Sequence, residues 1–171
     1  MANIYMRMDG VTVTGGATIE GLKGDGWIAL TSYNWGAHRN VAMDIGNGNN
    51  ADSGMSAMSE VVVTKECDGS SGSLLSYLFK PGNEGKTVEF VFTKPGTDGS
   101  GAAQYLQVKL TNARLVSYTI NGNDGYQPHE RIAFSYVEIY QRHDFELEGG
   151  EVKQGGIVTY NVPKGKLLSG A

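Results

Sequence analysis

The residues able to do chemistry are spread thinly along this chain. His38, His129 and His143 stand far apart, and none has a partner at zinc-ligand spacing. His38 beside Arg39 reads as a solvated or interfacial pair, not a catalytic one. The single cysteine, Cys67, excludes an intrachain disulfide and reads as a small packed apolar residue. Glu130 and Arg131 flank the start of a strand, where a surface ion pair is the ordinary outcome. Gly46-Asn47-Gly48 lacks the Gly-Lys-Ser/Thr that completes a phosphate loop. Residues 121–125, Asn-Gly-Asn-Asp-Gly, have the composition of a calcium loop without its spacing or its distal glutamate. There is no Gly-x-Ser-x-Gly elbow, and the acidic residues are too dispersed to argue a catalytic pair. The sequence therefore reads as a non-enzyme with no cofactor, no metal and no catalytic residue.

Bulk properties narrow the remaining classes. A chain of 171 residues is long enough for one domain with a substantial core. Its formal charge of −4, without a basic block, argues against nucleic-acid binding. No apolar run is long enough to span a membrane. Met1 to Arg7 has no basic segment leading into an apolar core, so no secretory signal peptide is expected. Export, if it occurs, would use a route that reads the folded protein.

The elements expected to position any site are mostly strands. Gly26 to Gly36 holds both tryptophans and reads as one strand, with Trp27, Ala29, Thr31, Tyr33 and Trp35 on one face. Ile28, Leu30, Ser32 and Asn34 share the other face, which changes from apolar to polar along its length. Ile4 to Met8 alternates as a half-buried first strand, and Val11 to Thr14 is a candidate short return. Residues 36–58 read as an extended irregular loop, because its centre is almost pure turn chemistry. Val41, Met43, Ile45, Met55 and Met58 punctuate it, which suggests a loop that packs on something, such as a neighbouring chain. Glu60 to Lys65 is a strand. Leu74, Leu75, Leu78 and Phe79 then form one helical stripe, capped by Ser70 or Ser71 and ended by Pro81-Gly82. Strands follow at 88–92, 105–110 and 116–120, with a short break at Thr111-Asn112. Ile132, Phe134 and Tyr136 lie on one face but Val137 and Ile139 on the other, which suggests a bulge or a strand covered on both sides. Residues 157–162 are the last strand, and 163–171 read as a tail. The fold class is mainly β, a barrel or sandwich with one short helix, in a single domain over 1–171.

Several segments together resemble one family. Asn3-Ile4-Tyr5-Met6-Arg7-Met8-Asp9-Gly10-Val11 is similar to the opening of the Hcp (haemolysin-coregulated protein) family, the tube proteins of the type VI secretion system. The aromatic strand resembles that family's Trp-Ile-x-x-x-x-Trp-Ser-Trp-Gly segment. Thr64-Lys65, Asp68, Ser71 and Leu74-Leu75 resemble its strand-into-helix junction, and 105–110 through 116–118 its central hairpin. Pro128-x-Glu130, Ile132-x-Phe134 and Val137-Glu138-Ile139 resemble its late strand. The departures are Tyr33 for the first tryptophan of the Trp-x-Trp pair, Asn34 for the usual serine, Gly72 where a proline often opens the helix, and a poor match after Arg142.

The resemblance implies a two-sheet β-barrel with one flanking helix, similar to phage tail tube proteins. It implies homohexameric rings that stack into a hollow tube, assembled in the cytoplasm within a sheath, tipped by a VgrG spike and secreted with small effector proteins in the lumen. Met43, Asp44, Ile45, Ser53, Met55 and Ser56 are the expected ring-stacking or subunit contacts. Asn34, with Ser32 beside it, is expected to face the lumen. Trp27, Tyr33, Trp35, Ser71, Leu74, Leu75, Leu78 and Phe79 are expected to be structural. The alternatives are a phage or phage-like tail tube subunit and a monomeric ligand-binding β-barrel, in which the aromatic strand would line a pocket.

Overall fold

The structure is a computed structural model and describes residues 3–11, 13, 17–42, 46, 52–96, 99 and 101–169; of Ala42, Asp52 and Ser53 it describes the backbone alone. In chain order the elements are β1 (Asn3–Met8), β2 (Ile28–Leu30), β3 (Ser32–Asn34), β4 (Ala37–Ala42), β5 (Asp52–Met58), β6 (Val61–Glu66) and α1 (Ser71–Phe79). There follow β7 (Lys86–Pro95), β8 (Ala102–Asn121), β9 (His129–Ser135), β10 (Glu138–His143), β11 (Phe145–Glu146), β12 (Val152–Lys153), β13 (Ile157–Asn161) and β14 (Lys166–Leu167).

Two sheets share β8. The larger runs β14-β13-β10-β8-β7-β1-β2, and the smaller runs from β8 through β9 and β6 to β3. The first part of β8 pairs with β7 and β10, and from Arg114 onward it pairs with β9. What reads in sequence as a break at Thr111-Asn112 is the point where one continuous strand crosses between sheets. Asn112 takes φ +53° there, a left-handed conformation that asparagine tolerates better than most residues. Its side-chain oxygen accepts the Gly85 N–H at 2.7 Å, and a β-carbon on Gly85 would collide with it.

The aromatic segment crosses sheets as well. It is two strands, not one: β2 pairs with β1, and β3 pairs with β6. The bend at Thr31, whose N–H donates to the Thr64 carbonyl at 2.8 Å, shifts the inward parity by one residue. Ile28 and Leu30 face the main core before it, whereas Tyr33 and Trp35 pack on that core after it. Trp27 lies on the other side of the larger sheet, with Tyr5 and Val91 beneath Ala17, Ile19 and Leu22. The expected single aromatic face is therefore corrected. The parity change at 136–137 has the same cause, since β9 belongs to the smaller sheet and β10 to the larger.

The sheets do not close into a barrel, because their hydrogen-bonded ladders end at β14, β2 and β3. The main core lies between them, with Met6, Val88, Phe90 and Leu110 from one side and Val61, Val63, Ile132 and Phe134 from the other. The helix adds Leu74, fully buried, and Tyr77 and Leu78, partly buried. Burying one such leucine contributes about 2 kcal/mol, which a helix of nine residues cannot do without. Phe79, expected on the buried stripe, is 78% exposed, and Leu75 is half-buried. Lys166–Leu167 pairs with β13, so part of the expected tail is a strand.

Candidate functional site

The residues that converge most tightly are not the ones expected to do chemistry. Lys65 closes the inward row Val61, Val63, Lys65 of β6, and Glu130 opens the inward row Glu130, Ile132, Phe134 of β9. Both side chains are fully buried, and Lys65 Nζ donates to Glu130 Oε2 at 2.8 Å. The same ammonium reaches Asp68 Oδ1 at 2.9 Å, the Glu66 carbonyl at 2.9 Å and Ser71 Oγ at 3.2 Å. Tyr118 donates its hydroxyl to Glu130 Oε1 at 2.6 Å. The expected Glu130–Arg131 surface pair is thus overturned, because neighbours on a strand point to opposite faces.

This junction also changes the account of the helix start. Ser70 is the cap residue, but its side chain makes no capping bond. Its hydroxyl and its N–H donate to Asp68 Oδ1, while Ser71 Oγ accepts the Asp68 N–H at 3.0 Å. Burial alone would raise the Glu130 carboxyl, but hydrogen bonds from Lys65, Ser71, Tyr118 and Cys67 outweigh it and hold the group below its ordinary range. Asp68 is lowered likewise: burial opposes, and the Ser70 and Lys65 bonds prevail. Cys67 is half-buried against the same acids, and burial pushes its thiol up, away from the reactive thiolate. The arrangement ties α1 to the smaller sheet and offers no exposed nucleophile. Among the described residues no group of three or more His, Cys, Asp or Glu is placed to hold a metal ion.

The outward face of the smaller sheet is the first candidate surface. Cross-strand registers align Asn34, Val62, Ala133 and Ser117 in one row. Ser32, Thr64, Arg131 and Thr119 form the next, and Glu66, His129 and Asn121 the last. Thr64 Oγ1 links to Thr31 Oγ1 at 2.8 Å and to Ser32 Oγ. Ser32 and Asn34 are both exposed on this face.

The second surface is an arm. Within residues 36–58, expected as an irregular loop, the flanks instead pair as β4 with β5, while 43–45 and 47–51, at the turn-rich centre, lie outside the described residues. This pairing continues the β3–β6 pairing beyond the sheet, from Asn34–Val62 to Ala37–Met58. At six and seven residues its strands extend about 20 Å. The root is pinned twice. Gly36 and Ser59 exchange hydrogen bonds at 2.9 Å each, and Trp35 Nε1 donates to Tyr136 Oη at 2.6 Å, which itself donates to the Ser59 carbonyl. Of the expected contact residues, Met55 is 75% exposed with its methyl over Gly165, and Ser56 is half-buried opposite Arg39. Met43, Asp44 and Ile45 lie outside the described residues, as does the Ser53 side chain.

With this geometry in hand, the comparisons with known proteins agree with one another. The sequence profile of the family described as "Type VI secretion system effector, Hcp" matches residues 5–143. No curated protein matches the chain. The fold is similar to the solved structure of a type six secretion system protein, with a TM-score of 0.80 and 23% identity over 98% of this chain and 99% of that one. It is similar to Hcp1 from Salmonella typhimurium, with a TM-score of 0.67 and 16% identity over 98% and 99%. It is also similar to the secreted protein Hcp3 from Pseudomonas aeruginosa, with a TM-score of 0.58 and 17% identity over 94% and 98%. The profile match covers well over half of the sequence, and the chain belongs to the Hcp family of the type VI secretion system.

Proposed function

We propose that this subunit of the type VI secretion tube forms homohexameric rings, and that the β4–β5 arm carries the contacts by which one ring stacks on the next. The observation that carries this reading is the arm itself. Two short strands that pair only with each other, with Val41 and Met55 exposed and contact to the body made by Met58 at the core and Met55 at Gly165, gain little from the monomer. Isolated two-stranded hairpins are marginal in water, so a partner surface is the natural source of the missing stability. Met43, Asp44, Ile45, Ser53, Met55 and Ser56 are assigned to those contacts. A ring needs one head-to-tail interface repeated around an axis, and an arm rooted in the sheet holds a constant angle to it.

The outward face of the smaller sheet, with Ser32 and Asn34, then lines the lumen. It is largely polar and built mainly from small side chains, which suits a wall along which small effectors pass. The sheath, a VgrG spike at the tip and cytoplasmic assembly before secretion complete this reading. A ligand-binding monomer is disfavoured because Trp27, Tyr33 and Trp35 are committed to packing in two separate clusters.

Negative-stain microscopy of the purified chain and of a variant lacking residues 46–54 tests this. Rings with a central hole are expected from both, and stacks from the parent alone. Tubes of equal length from the truncated variant would remove the arm from stacking. A monomer at micromolar concentration by light scattering would remove the ring.

A further inference from the structure

We propose that Asn121 is a self-modifying site, where the Gly122 backbone nitrogen displaces the side-chain amide as ammonia and leaves a carboxylate at the end of β8. Asn121 closes β8 and Gly122 opens the connection to β9, and both are exposed. The ladder decides where their backbone groups point. Cys67 donates its N–H to the Pro128 carbonyl at 2.9 Å, so Glu66 and His129 form a pair without mutual hydrogen bonds. His129 therefore turns its own N–H and carbonyl toward β8, where Asn121 is its partner. The next N–H, that of Gly122, points away from β9 at the free edge of β8 and makes no hydrogen bond among the described residues. The Asn121 side chain makes none either, so its carbonyl carbon can turn onto that nitrogen. Glycine brings no β-carbon to obstruct the five-membered ring that forms.

The step balances with water alone. The Gly122 nitrogen gives up its proton and bonds to Asn121 Cγ. The Cγ–Nδ2 bond breaks, and Nδ2 leaves as ammonia with a proton. Water then opens the ring at either carbonyl, giving aspartate or its isomer with the backbone running through the side chain. The new carboxylate faces His129 across the ladder, with Arg131 on the diagonal within reach of a long side chain. Glu66 lies on the far side of His129 at 4.0 Å, so the imidazole would stand between two carboxylates. Other asparagines lack this arrangement. Asn112 and Asn161 hold the N–H groups of Gly85 and Lys164 with their side-chain oxygens, at 2.7 and 3.0 Å, and each precedes a residue that has a β-carbon. Asn83 precedes Glu84.

The full chain is incubated at physiological temperature and mildly alkaline pH, then followed by isoelectric focusing and tryptic peptide mass spectrometry. Trypsin puts Asn121-Gly122 and the chain's other Asn-Gly pair, Asn47-Gly48, in different peptides. The peptide holding Asn121 is expected to gain one mass unit, as a mixture of aspartate and isoaspartate. The folded chain gains one negative charge beyond its formal −4 with each event at this site. Gly122→Ala, at a position where a β-carbon meets nothing, should slow the change about tenfold or more. Asn83→Ser should leave the rate at Asn121 unaltered. Circular dichroism establishes that each variant is folded. An Asn121 peptide of constant mass would overturn the proposal, as would equal rates in the parent and Gly122→Ala. So would modification of Asn121 in urea alone, because the folded ladder would then protect the site.

Discussion

Two parts of one interior treat buried polar groups in opposite ways. Beneath α1, Lys65 and Glu130 are withdrawn from water, yet the ammonium has four acceptors in reach and each carboxylate oxygen has its own donor. Between β3 and β7, Tyr33 sits edge-on to Phe90 and Phe92, with ring centroids 5.2 and 5.1 Å away. Its buried hydroxyl has no partner among the described residues, and burial drives its pKa well above the usual tyrosine value. The difference separates burial from satisfaction. A complete polar network costs little net and fixes geometry, whereas one unpartnered hydroxyl is a standing penalty of about 1–3 kcal/mol.

The strongest way to break this comparison is to make the first region resemble the second. Lys65→Met leaves Glu130 buried without its cation, and Asp68 loses a partner as well. The expected loss is about 3–5 kcal/mol, read from the urea midpoint at fixed protein concentration. Adding Glu130→Met to that variant should recover much of the loss, because no uncompensated charge remains. A single variant as stable as the parent would mean that the network is not what holds α1 to the sheet.

Acid attacks the same network without a mutation. The ordinary values are 4.5 for Glu130 and 3.8 for Asp68, and both groups are held lower in the folded chain. A depressed carboxyl adds stability that is fully present above its unfolded value and is lost as pH falls through the folded one. Stability should therefore hold from neutral pH down to the ordinary carboxylate range and decline below it. Glu130→Gln should be less stable near neutrality and should lose less on acidification. An acid profile with the same slope in parent and variant would place the titrating groups elsewhere.

How much of this was legible in the sequence depends on whether strand parity was followed through. Glu130 shares its parity with Ile132 and Phe134, and Lys65 with Val61 and Val63, so burial of both could be read directly. Adjacency to Arg131 suggested a surface pair and hid that signal. Family resemblance marks Lys65, Asp68, Ser71 and Glu130, and the residues themselves mark Ser71 as a helix cap and Glu130 at a strand start, but neither reading says that they meet. The mainly β fold with one short helix followed from alternation and turn chemistry. The crossings at Thr31, Asn112 and 136–137 did not, because a strand that changes sheets reverses its inward parity without any residue type requiring it. The arm was hidden for a different reason. Its Gly/Asn-rich centre dominated the composition, while pairing at its flanks depends on the β3–β6 ladder that it extends.

The smallest effect is also the cleanest discriminator. Tyr33→Phe deletes one unpartnered oxygen and keeps the ring against Phe90 and Phe92, so stability should rise by about 1 kcal/mol. Tyr136→Phe deletes the same atom from a ring that holds Trp35 and the Ser59 carbonyl, so stability should fall by about 1 kcal/mol. Both are measured from urea midpoints with unchanged slopes, since neither alters the surface exposed on unfolding. Opposite signs from one chemical change would show that partnership sets the energy of a hydroxyl in this interior. If Tyr33→Phe is destabilising, the hydroxyl at that position has a partner after all, and the contrast between the two regions reduces to packing.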